Sequence, residues 1–67
     1  MEIVIKHWKE GREGDISVAV VNNNKVLAIT DCGHYSSAES FIEVTKKASL
    51  AVSNYEMKYP HATKVLR

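Results

Sequence analysis

Ile16-Ser17-Val18-Ala19-Val20-Val21-Asn22-Asn23-Asn24-Lys25-Val26-Leu27-Ala28-Ile29-Thr30 is the stretch that decides the fold. Two runs rich in β-branched residues flank three asparagines. Asparagine tolerates the positive φ angles of tight hairpin turns, and two such residues suit a type I′ connection. In the first run Ile16, Val18 and Val20 share one face, while Ser17, Ala19 and Val21 make a smaller, less apolar one. In the second, Val26 and Ala28 oppose Leu27 and Ile29. The stretch predicts an antiparallel hairpin.

Working outward toward Met1, Glu2 to Trp8 alternates as well, with Ile3, Ile5 and His7 against Val4, Lys6 and Trp8. The polar stretch Lys9 to Asp15, with two glycines, reads as a loop between this strand and the next. Toward the other end, Asp31 to Tyr35 closes the third strand and a helix follows. Ser36 and Glu39 have capping-box spacing. Ala38, Phe41, Ile42, Thr45, Ala48, Val52, Tyr55 and Tyr59 recur at three and four, a stripe expected on the sheet. Pro60 ends it. Some 22 residues make a helix about 33 Å long, enough to overhang strands of six residues or to break near Ser53-Asn54. The expected fold is one α+β domain over residues 1–67, a three-stranded antiparallel β-meander packed against one long C-terminal α-helix.

Composition narrows the function. The chain has 67 residues, is 45% apolar and carries a formal charge of +1, with nine Lys and Arg against eight Asp and Glu. That balance opposes both a strongly cationic nucleic-acid binder and an acidic mimic. One cysteine, Cys32, excludes an intrachain disulfide framework and points to a reducing, cytoplasmic setting. No apolar run has the length of a membrane span, and Met1 to Lys9 lacks the apolar stretch of a signal peptide.

The order of signals resembles the YegP-type bacterial domain. The residues that carry the likeness are Asn23-Asn24-Lys25-Val26-Leu27-Ala28, then Tyr35-Ser36-Ser37, then a helix containing Ile42 and Val44. The likeness covers roughly residues 16 to 50. In this sequence Asn23-Asn24 stands where that family has Asn-Gly, and His34 directly precedes the tyrosine. The resemblance implies a small dimer-forming module and no particular reaction.

Four groups of residues are candidates for chemistry. Cys32 and His34 both ligate zinc and also suit a nucleophile and its base, but two ligands do not make a zinc site. His7 and His61 are far away in sequence. No phosphate-cradling loop is present, because Gly11-Arg12-Glu13-Gly14 lacks the lysine and the strand-to-helix context. The chain is therefore expected to be neither an enzyme nor a cofactor carrier.

Lys6, Trp8, Lys9 and Arg12 combine charge with an aromatic ring, as single-strand binders do. Glu2, Glu10, Glu13 and Asp15 are interleaved and weaken the field. The helix has a second apolar stripe, Val44 and Ala51 on one line and Leu50 and Met57 on the next. So wide an arc predicts a partner, either a second copy of the chain or another protein. The primary expectation is a homodimeric, non-catalytic protein-binding module. Chains of this size class are frequent among phage and mobile-element accessory proteins that bind and inhibit a host factor in the host cytoplasm. Nucleic-acid binding through Lys6, Trp8, Lys9 and Arg12 is the alternative.

Overall fold

A computed structural model describes residues Met1 to Arg67. The elements are β1 (Glu2–Glu10), β2 (Glu13–Asn22), β3 (Lys25–Tyr35), α1 (Ala38–Lys58) and β4 (Thr63–Leu66). They form an α+β fold with one four-stranded mixed sheet in the order β3-β2-β1-β4. The meander is present, with β1 antiparallel to β2 and β2 antiparallel to β3. Asn23 and Asn24 both take positive φ, 52° and 65°, as the type I′ turn requires.

The expectation of three strands is corrected by β4, which runs parallel to β1 and makes the sheet mixed. After Pro60 and His61 the chain turns back along β1. Thr63 N donates to Met1 O at 3.1 Å, Arg67 N to Ile5 O at 2.8 Å, and His7 N to Arg67 O at 2.9 Å. Strand β4 is only four residues long and lacks an alternating pattern of its own, so pairing with β1 defines it.

The strands are also longer than expected. The polar loop Lys9 to Asp15 shrinks to a turn at Gly11-Arg12, and Asp31 to Tyr35 continues β3. Longer strands carry the whole helix, which is continuous through Ser53-Asn54. Its capping box is one residue later than expected. Ser37 is the N-cap and its Oγ accepts from Ser40 N at 3.1 Å, while Ser40 Oγ accepts from Ser37 N at 3.0 Å. A serine hydroxyl at the third helical position replaces the Glu39 carboxylate.

One face of the sheet is covered by the helix. Ile3, Ile16, Val18, Val20, Cys32 and Tyr35 meet Val44, Ala48 and Ala51 there, all buried. Val52, Tyr55 and Tyr59 of the expected stripe flank this core. Phe41 and Ile42 do not join it and are 38% and 52% exposed. The helix is rotated at its first half because its central contacts are Val44, Ala48 and Ala51, small side chains that admit close approach to the strands. A fully buried Val or Ile contributes about 1.5–3 kcal/mol, so a few such side chains account for much of the stability of so small a domain.

Strand β3 lies at the sheet edge and is interrupted twice. Its register against β2 shifts between Ile16 and Ser17 and between Val20 and Val21, leaving Cys32 and Leu27 as the extra residues of two bulges. Gly33, with φ of 114°, supplies the backbone angle at the first of these irregularities.

Candidate functional site

Strand alternation sorts the predicted site residues onto two surfaces. Cross-strand partners share a face, so the pairs Ile3–Val20, Ile5–Val18 and His7–Ile16 lie on the helix side. Val4–Ala19, Lys6–Ser17 and Trp8–Asp15 lie on the open side. Lys6 and Trp8 therefore face away from the helix, whereas Lys9 pairs with Gly14 on the helix side. Arg12, in the turn, joins Lys9 along one groove. The four residues expected to bind nucleic acid do not form a single surface.

The two helix stripes fare differently. Val44 and Ala51 are 5% and 7% exposed and belong to the core, so neither is available to a partner. This corrects their placement: they are the residues on which α1 sits on the sheet. Leu50 and Met57 are 63% and 83% exposed. Seven residues apart, with Lys46, Lys47, Ser53 and Asn54 around them, they are two isolated side chains rather than a patch.

The continuous apolar surface lies on the open side of the sheet. Val26 and Ile29 are 62% and 65% exposed, and the bulge residue Leu27 is 47% exposed beside them. Cross-strand pairs carry this apolar surface inward. Val26 is opposite Val21, Ile29 opposite Ala19, Ala19 opposite Val4, and Val4 opposite Val65 of β4. Val4 and Ala19 are each 5% exposed, although neither belongs to the core beneath the helix. Below them the same face turns mostly polar, with Lys6, Ser17, Asp31, Asp15 and His34 around the half-exposed Trp8.

Cys32 and His34 are on opposite sides of the sheet. Cys32 is in the core, its thiol directed at Thr30 O at 3.8 Å, and burial pushes its pKa up. His34 is in the open and contacts Asp15 Oδ1 at 3.0 Å and Glu13 Oε1 at 3.4 Å. The hydrogen bond to Asp15 holds its pKa above the ordinary value, with Glu13 assisting. The separation of thiol from imidazole removes the pairing on which either a shared metal or a nucleophile and base would depend.

A second cluster forms at the start of the helix. Tyr35 is 4% exposed, and its hydroxyl lies 2.6 Å from His7 Nε2. Phe41 meets the Tyr35 ring edge-on, with centroids 4.8 Å apart. Gly14 lies beneath this ring, and a Cβ there would collide with Tyr35 Oη and the Trp8 carbonyl. Residues 7, 14, 35 and 41 come together only when the meander closes and the helix starts. The available signal was Gly14 at the head of an alternating strand, since glycine in a strand often marks a close approach. Tyr35, His7 and Phe41 line a groove of about 670 Å³ together with Lys9, Arg12 and Ser37.

Set against protein-family models, curated proteins and solved structures, the chain matches none of them.

Proposed function

We propose that the protein is a non-catalytic protein-binding module, and that the open face of its sheet meets the partner. The supporting observation is the exposure of Val26 and Ile29 on the face opposite the helix, with the exposed bulge residue Leu27 between them in the strand. Contiguous exposed apolar surface on a small domain marks an interaction site, whereas apolar residues scattered singly do not. A second copy of the chain is the first partner to test. A chain of this size buries only about 60% of its unfolded surface, and pairing two open faces removes apolar area from both copies at once.

The test compares the parent with Ile29→Asp, each first checked by circular dichroism for an intact fold. Sedimentation equilibrium at tens of micromolar should give a dimer for the parent and a 7.5 kDa monomer for the variant. If both are monomers, immobilised parent should retain a lysate protein that Ile29→Asp loses. Retention that is unchanged in the variant, or retained nucleic acid that salt releases, would refute the assignment of this face.

A further inference from the structure

We propose that the groove between the β1–β2 turn and the start of α1 binds a small ligand bearing a phosphate monoester on an aromatic or heteroaromatic body. Its volume, about 670 Å³, lies within the range of small-molecule sites. The two kinds of contact such a ligand needs are present and adjacent. Lys9 and Arg12 supply cationic donors, and a guanidinium grips a phosphate with two parallel hydrogen bonds. Phe41, 38% exposed, offers part of its ring to a planar partner.

Three details favour a phosphate over a neutral ligand. First, the protein's four ion pairs involve His34 with Glu13 and with Asp15, Lys64 with Glu56, and Arg67 with Glu2. Lys9 and Arg12 are in none of them, so no carboxylate must be displaced. Second, alternation divides the hairpin by charge. Lys9 is on the groove side, while Glu10 and Glu13 pair with each other on the open side, with Glu13 beside His34. Third, the wall is fixed before any ligand arrives. The Tyr35 ring is held between Gly14 below and Phe41 at its edge, and its hydroxyl is tied to His7. A rigid wall lowers the ordering cost of binding. The helix start is not the anchor, because Ser37 and Ser40 already engage one another's backbone donors.

The experiment is an NMR titration of the ¹⁵N-labelled protein with phenyl phosphate, a nucleoside 5′-monophosphate, inorganic phosphate and phenol. Phenyl phosphate or the nucleotide should shift Gly11, Arg12, Tyr35 and Phe41 amides and bind at least about tenfold tighter than inorganic phosphate or phenol alone. Whichever of the two binds more tightly identifies the body the groove prefers. Arg12→Ala and Lys9→Ala, both at exposed positions, should each weaken binding about tenfold, with the fold unchanged by circular dichroism. Equal affinity in the Arg12→Ala protein, shifts scattered over distant lysines such as Lys25 and Lys46, or no saturable shift at about 10 mM would overturn the proposal. The outcome is independent of the open face, since Ile29→Asp should leave the titration unaltered.

Discussion

The covered and open faces of the sheet are built from the same four strands, yet their side chains differ in kind. On the covered face Ile3, Val18 and Val20 are fully buried and interlock with Val44, Ala48 and Ala51. On the open face Val26 and Ile29 keep more than three-fifths of their surface in solvent. Both rows are apolar by composition. Only one of them is a core. The difference teaches that β-branched alternation identifies strands and their two faces, but not burial. A side chain on an outer strand such as β3 is buried only where the helix is laid over it, while the central Val4 and Ala19 are buried on the open face as well. Here the helix, returning from β3 to β4, lies over one side alone.

The comparison can be tested most severely at its buried side. Ile3→Ala should cost about 2–5 kcal/mol, near the whole stability of such a chain, and should leave it largely unfolded in urea titrations. Little or no loss would mean that the helix is loosely docked. Gly14→Ala comes next, at about 1–3 kcal/mol, because the added methyl has no room beneath Tyr35. In that case Tyr35→Ala placed in the same chain should recover part of the loss, and additive costs would deny that the two positions share one space.

Phe41→Ala should cost about 1–2 kcal/mol, below the 3–5 of a buried phenylalanine, since its ring is half out of the core. A largely unfolded variant would move Phe41 onto the covered side of the comparison. Ile29→Ala should change the stability of the isolated monomer by no more than about 0.5 kcal/mol in a urea titration.

The smallest effect concerns His34. Its pKa is raised in the folded state by Asp15 and then Glu13, so the contact stabilises at pH values below the ordinary histidine range and is lost as pH rises through the folded value. Asp15→Asn should lower the titration midpoint of the His34 ring, followed by NMR. An unmoved midpoint would show that the contact does not persist in solution.

How much of this was legible can be traced residue by residue. The asparagine turn, the meander and the helix were written locally, in turn chemistry, alternation and spacing. Strand β4 was not, because Thr63 to Leu66 becomes a strand only through β1, some sixty residues earlier in the chain. The helix phase differs from the spacing because spacing gives the width of a stripe and not which of its residues lie closest to the strands. Phe41, Ile42 and Leu50 are the larger apolar residues, but the close contact belongs to Ala48 and Ala51. For the same reason the second helix stripe supplies core residues, Val44 and Ala51, and the proposed partner surface lies on the sheet. The contact of Tyr35 with Phe41 is local, six residues apart across the helix start, whereas His7 joins them only through topology, which no short-range spacing encodes. The Lys6, Trp8, Lys9 and Arg12 group showed the opposite error. Its residues are neighbours in sequence but are divided by the period of a strand.

The bulges in β3 bear on solubility. Val26 to Thr30 is a run of five uncharged residues, four of them β-formers or leucine, on an outer strand with unpaired backbone groups along one side. Flat segments of about six or seven such residues are the seeds of fibrils. Here the extra residues Leu27 and Cys32 leave only Ala28 to Asp31 as regular edge between them. A template that short cannot recruit a stack of copies, and the local twist of each bulge turns the remainder away. The bulges thus shorten the regular edge in a chain whose net charge of +1 offers almost no colloidal repulsion.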